Sequence, residues 1–136
     1  MNASHGFEEI PHTADWSLRV WAENLPALFA QAAQGMNKLA GVQIRSGRRS
    51  TRAFSHQAGD VESLLVAFLS ELVYLQEYEG LGFDDFRIEF EDGSMQASMQ
   101  GGPLTSVAKP IKAVTFHNLK IVRTAQGYQA QIVFDV

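Results

Sequence analysis

Hydrophobic and polar positions change period several times along the chain, and each change predicts an element. Phe7-Glu8-Glu9-Ile10 reads as a short strand stopped by Pro11. Trp16, Leu18 and Val20 alternate with Ser17, Arg19 and Trp21, which predicts a second strand with one buried face. The period then lengthens. Leu25, Leu28, Phe29, Ala32, Ala33 and Met36 form one apolar stripe of a helix, with Asn24 as its cap, Pro26 in its first turn and Gly41 closing it after Lys38 to Ala40. Arg48 to His56 reads as a strand of mixed polarity near a sheet edge. Asp60 caps a second helix, whose buried face is Leu64, Leu65, Phe68, Leu69, Leu72 and Leu75, and Gly80 and Gly82 are expected to break it.

Alternation then returns. Phe86, Ile88 and Phe90 face one way, Arg87, Glu89 and Glu91 the other. Asp92-Gly93 is a hairpin turn signal, and Ser94 to Gln100 is the return strand, with Met95, Ala97 and Met99 on one face. Gly101-Gly102-Pro103 is expected to open a loop running to about Ile111. Lys112 to His117 and Leu119 to Arg123 read as extended, and Thr124 to Gly127 turns the chain into a terminal strand, Tyr128 to Val136. Two helices and six to eight strands, the late ones in hairpins, predict an α+β fold. Its helices would pack on a mainly antiparallel sheet or sandwich within a single domain, residues 1–136.

Composition narrows the function. The chain of 136 residues is 46% hydrophobic and 19% charged, which is a folded globule with enough length for a core. It has no cysteine, so disulfides, zinc fingers and thiol catalysis are excluded, and a cytoplasmic location is expected. There is no basic leader followed by an apolar run, and no apolar stretch near the ~20 residues of a membrane span, so no membrane partner is expected. The formal net charge of −4 argues against direct nucleic-acid binding. The single basic cluster, Arg45, Arg48, Arg49 and Arg52, reads as a solvated strand edge rather than a phosphate track.

Familiar catalytic signatures are absent: no phosphate-cradling glycine loop, no nucleophile elbow, no H-E-x-x-H. Three places still gather polar residues at strand ends. His12-Thr13-Ala14-Asp15 lies between the first two strands; an Asp there often binds backbone amides, and the alternative is a metal ligand or acid/base group. Lys112 opens an apolar segment, with Thr115 and His117 behind it; it is either a surface lysine or one held near carboxylates or a phosphate. Asp135 stands one residue before the carboxylate of Val136, a pair that suits a hard cation or is fortuitous.

Together these segments resemble the archease family, small proteins associated with RNA splicing by ligation. The resemblance runs from about residue 6 to the last residue. It rests on Phe7 through Asp15, on Trp21 with Leu25, Leu28, Phe29 and Ala32, and on Asp60-Val61-Glu62-Ser63-Leu64-Leu65 with Phe68-Leu69-Ser70-Glu71-Leu72. Lys112-Ala113-Val114-Thr115-Phe116-His117 and Phe134-Asp135-Val136 complete it. The resemblance implies a divalent-cation site, assigned in the family to calcium, with Asp15, Asp135 and Val136 as ligands and Lys112 needed for activity. Ca²⁺ is thus implied, with Mg²⁺ or Mn²⁺ as alternatives.

The implied partner is the RtcB-type RNA ligase, which joins a 2′,3′-cyclic phosphate or 3′-phosphate end to a 5′-hydroxyl end after guanylylation by GTP. Archease resembles a non-enzymatic activator of that step, meeting RNA only through the ligase. Two other readings stand beside it: a chaperone-like modulator of RNA-modifying enzymes, and a metal-dependent phosphoester hydrolase using Asp15 and His12.

The residues agree with the implied site in one respect. Three carboxylates are all-oxygen ligands, which favour Ca²⁺, Mg²⁺ or Mn²⁺ over zinc. Brought together they repel, so a cation or Lys112 must offset them. The sequence departs from many relatives at Phe116, at Ala22-Glu23 and at Ala108-Lys109, all off the implied ligands.

Overall fold

The computed structural model describes residues 4–10 and 16–136. In chain order the elements are β1 (Gly6–Ile10), β2 (Trp16–Ala22), α1 (Leu25–Ala40), β3 (Val42–Ile44), β4 (Ser50–Gln57) and α2 (Val61–Glu79). There follow β5 (Leu81–Glu91), β6 (Ser94–Val107), β7 (Ala113–Val114), β8 (Val122–Thr124) and β9 (Gly127–Asp135). Two sheets result. In the first, β2 lies between β1 and β9, and β9 also pairs with β7 and β8. In the second, β6 is central: β5 runs along one side, while β4 and β3 share the other. Every pair is antiparallel. The α+β expectation is met, with both helices packed against strands of both sheets.

The helices begin where the capping residues are. The Asn24 side chain accepts a hydrogen bond from the Ala27 amide at 2.9 Å, and Asp60 accepts one from the Ser63 amide at 2.7 Å. They end at Gly41 and Gly80, both left-handed, which turns the last carbonyls back onto amides. The core between the sheets is built by the predicted stripes. Phe29 of α1 stacks on Phe68 of α2 and meets Phe90 of β5 edge-on, with Phe86 edge-on to Phe68. Leu18, Val20, Ile132 and Phe134 line the first sheet's inner face and are fully buried.

Five expectations need correction. Gly82 does not break α2; it lies inside β5, buried, opposite Gly102. The loop expected from Gly101 to Ile111 is instead the second half of β6 as far as Val107. It is held by β3 and β5 on its two sides and by the Pro103 carbonyl, which accepts from the Arg45 amide at 2.8 Å. The glycines read as loop formers serve close approach: a Cβ on Gly101 would sit 1.8 Å from the Gly82 carbonyl oxygen, where β5 bulges.

Lys112 to His117 is mostly not strand, because only Ala113 and Val114 pair with β9. Thr115 then directs both its amide and its hydroxyl to the Val133 carbonyl, and the chain turns at His117-Asn118. Leu119 to Arg123 is likewise irregular until Val122. Nine strands are present among the described residues, not six to eight, because the short β3, Val42–Ile44, was not expected. No helix among the described residues is long and apolar enough to cross a membrane.

Candidate functional site

The terminal strand β9 occupies the middle of the first sheet, so its last residues are held on both sides. Alternation buries Ile132 and Phe134 and turns Asp135 outward, where it is exposed. On one flank β7 lies opposite, with Ala113 facing Asp135 and Val114 facing Phe134. The Lys112 amide donates to the Asp135 carbonyl at 2.8 Å. Lys112 is itself exposed, but it stands between two buried anchors, Ile111 and Val114. The lysine and the aspartate are thus fixed to one another through the backbone, although they are far apart in sequence.

On the other flank Trp16 pairs with Phe134 and Ser17 with Val133. Trp16 is the chain neighbour of Asp15 and Phe134 that of Asp135. Asp15 and His12 themselves lie outside the described residues, so the expectations placed on them do too. Val136 is half-buried and packs its side chain against the core.

A further cation belongs to this end of the sheet. The Lys109 ammonium lies 5.1 Å from the centre of the Trp16 ring, a cation–π arrangement. Its backbone is tied to the end of α1, with the Lys109 amide donating to the Ala40 carbonyl at 2.9 Å. Sequence reasoning passed over Lys109 as a mere departure in a loop. The available signal was its place three residues before Lys112, just ahead of Pro110.

Other candidates separate from this end. His117 is exposed in the turn, beside Asn118. Thr115 spends its hydroxyl on the Val133 carbonyl and accepts from the His117 amide, so its role is to shape the turn. The arginine cluster lies on the second sheet. Arg49 is paired with Asp84 and Arg52 with Glu79, and these partners raise both guanidinium pKa values and hold Glu79 below the usual carboxylate range. Arg45 and Arg48 are exposed. Four arginines in sequence are therefore not four cations along one track, which agrees with the solvated-edge reading.

The donor chemistry of the sheet end fits a hard cation. The Asp135 side chain offers oxygen only, and oxygen is the ligand that Ca²⁺, Mg²⁺ and Mn²⁺ prefer. Among the described residues no group of three or more His, Cys, Asp or Glu side chains comes together, so a complete side-chain cage is not present within them.

Comparison with known proteins gives concordant results. Residues 7–136 match the model of the Archease protein family. Protein archease of Methanosarcina barkeri is 35% identical over 140 residues, covering 96% of this chain and 95% of that protein. Protein archease of Pyrococcus furiosus is 31% identical, covering 96% and 98%. Among solved structures, protein 1598 of Methanobacterium thermoautotrophicum superposes with a TM-score of 0.72 at 21% identity, covering 96% of this chain and 99% of the other. An archease from Thermotoga maritima, described as a possible chaperone, superposes with a TM-score of 0.69 at 19% identity, covering 95% and 96%. These two likenesses concern the fold.

Proposed function

The chain belongs to the archease family, and from that premise we propose that it is a non-enzymatic activator of an RtcB-type RNA-splicing ligase. It would promote the ligase's GTP-dependent guanylylation, and hence its multiple turnover in tRNA splicing or RNA repair. The observation that carries the reading is the tether between Lys112 and Asp135, an amide–carbonyl bond of 2.8 Å at an exposed sheet end. It joins two motif segments of the family resemblance in one place, with Trp16 adjoining through Phe134.

The chemistry follows from exposure and charge. Asp135, Val136 and Asp15 are the residues that would hold a divalent cation. When bound, that ion supplies positive charge against the carboxylates and a Lewis-acidic contact for oxygen ligands. Lys112 presents an ammonium that suits a phosphate or a carboxylate of the partner. Its backbone, pinned between Ile111 and Val114, limits the orientation that contact must fix. Exposed groups on a rigid sheet end suit contact with another macromolecule better than catalysis on a small molecule, which needs water excluded around the reacting atoms.

The deciding experiment mixes the protein with a cognate RtcB-type ligase, GTP, Mn²⁺ and RNA ends, and counts ligations per ligase. Turnover should rise with the wild-type chain and not with Asp135→Asn or Lys112→Ala. Unchanged turnover with excess wild-type protein sinks the proposal. The Thermotoga protein's description as a possible chaperone motivates a second reading. That reading requires help to unrelated RNA-modifying enzymes that survives Asp135→Asn.

A further inference from the structure

The formal net charge of −4 is a total over two unlike parts of the chain, and it hides a local excess of the opposite sign. From Gly93 to Phe134 there is no aspartate or glutamate, and every acid except Asp135 precedes that stretch. The same stretch holds four of the 11 lysines and arginines, Lys109, Lys112, Lys120 and Arg123, together with His117. Charge segregation of this kind is a sign of a polyanionic partner. All five residues are exposed, and none forms an ion pair among the described residues.

Sheet pairing sets three of these cations along one line. Strand β2 takes one flank of β9 from Tyr128 to Phe134, so β7 and β8 share the other. β7 pairs with Phe134 and Asp135, and β8 with Gly127 to Gln129, which lays the chain from Lys112 to Thr124 along the whole flank. At ~3.3 Å per residue that flank runs about 23 Å from Asp135 to Tyr128. Lys112 stands at one end, beside Asp135. Arg123 stands at the other, opposite Tyr128, with its guanidinium 5.6 Å from the ring centre. Between them lies the irregular stretch that carries Phe116, His117 and Lys120. Lys109 lies across the sheet end, over Trp16.

The irregular stretch is fastened at both ends. Thr115 bonds twice to the Val133 carbonyl, the Leu119 amide closes a turn on the Phe116 carbonyl at 3.0 Å, and the Ile121 amide donates to Glu62 at 2.8 Å. Asn118 bends the turn at φ 53°, in the left-handed region that asparagine tolerates. The closed turn leaves the Phe116 ring 57% exposed, the one large apolar side chain exposed outside α2 among the described residues. Two acids adjoin the flank: Glu62, held by the Ile121 amide, and Asp135 at the Lys112 end.

We infer that this flank binds single-stranded RNA directly. The phosphates follow Lys112, Lys120 and Arg123, and an unpaired base stacks on the Phe116 ring. Unpaired cations in a row match a phosphate backbone, and an accessible ring offers a platform to a base that a duplex would keep stacked on its neighbours. An acidic protein segment has the charge but no base to place on the ring. Three cations give a weak contact, which counts where the RNA end is already held close, as in the proposed ligase complex. The inference rests on that proposed function for its setting only. Binding is measured without the ligase, so either can fail alone.

The test titrates the full chain with a single-stranded oligouridine of about ten nucleotides at low salt. Amide shifts should map to residues 112–124. The logarithm of the affinity should fall with the logarithm of salt concentration at a slope of about −2, as for three phosphates of a single strand. Lys120→Ala and Arg123→Ala should each reduce that slope by about 0.7. Phe116→Ala should weaken binding roughly fivefold or more at an unchanged slope. The fold should persist in that variant, since the ring is largely exposed, and circular dichroism checks this. Arg49→Ala, on the second sheet, should bind as wild type. The inference is overturned by no binding at millimolar oligonucleotide, or by shifts away from residues 112–124. Wild-type affinity in Phe116→Ala, or in Lys120→Ala combined with Arg123→Ala, overturns it too. Equal binding of an RNA duplex removes the stacked base, and equal binding of a polyglutamate peptide makes the occupant an acidic protein segment; either result overturns it.

Discussion

The end of the first sheet and the flank of the second both gather charged residues on strands, yet the fold uses those charges differently. On the second sheet Arg49 and Arg52 are matched by Asp84 and Glu79, so half of the cluster that looked basic in sequence is neutralised. At the end of the first sheet Lys112, Lys109 and Asp135 are exposed, and no ion pair among the described residues uses any of them. Their backbones, by contrast, are fastened by hydrogen bonds and by buried neighbours. Rigid backbone with uncommitted charge is what a recognition or metal site requires; paired charge at a surface is what a solvated face requires. A count of charges along the chain does not separate the two.

The sharpest way to break this contrast lies within β9 itself. Phe134→Ala removes a fully buried ring and should cost about 3–5 kcal/mol in denaturant unfolding. Asp135→Asn, one residue on and outward-facing, should cost less than about 0.5 kcal/mol. Comparable losses would mean that Asp135 serves the fold rather than a partner.

Activation should show the reverse order. Lys112→Ala and Asp135→Asn should each lower ligase turnover roughly tenfold or more, the scale of losing one charged contact. Arg49→Ala and Arg52→Ala should leave turnover near wild type. If the arginine variants abolish activation instead, the functional surface is on the second sheet.

Cap removal gives a smaller effect. Asp60→Ala leaves the Ser63 amide without its acceptor and should cost about 1 kcal/mol, read as a lower melting temperature with unchanged turnover. Loss of turnover at full stability would tie the start of α2 to the activating surface.

The smallest effect is the Arg52–Glu79 pair. Hydrogen bonding from Arg52 holds the Glu79 pKa below its ordinary value in the folded state. The pair's stabilisation is therefore present above the ordinary carboxylate range, near pH ~4.3. It is lost as pH falls through the lowered folded value. Glu79→Gln should melt slightly below wild type at neutral pH, with the gap closing in acid. A gap that persists in acid would assign the effect to packing.

Much of the architecture was legible because it is local. Asn24 and Asp60 announce their helices, the apolar stripes coincide with the buried faces, and Asp92-Gly93 forms the hairpin with both residues at positive φ. The errors share one cause. Gly101-Gly102-Pro103 has the composition of a loop, yet partners from β3 and β5, up to about sixty residues away, hold it as strand. Lys112 to His117 has the composition of a strand, yet only two of its residues find a partner in β9. Of the site, Lys112 and Asp135 were legible as family motif positions, whereas Lys109 was not, because its link to Trp16 crosses most of the chain.

The sequence by itself determined the helices, their caps, the faces they bury and the family to which the chain belongs. These depend on residue types a few positions apart, or on motif order. Tertiary structure alone decided that Lys112 stands beside Asp135 and that Arg49 and Arg52 are spent on Asp84 and Glu79. Hydrogen-bond partners and ion partners are chosen by what the completed sheets bring within reach, and no local pattern encodes that choice.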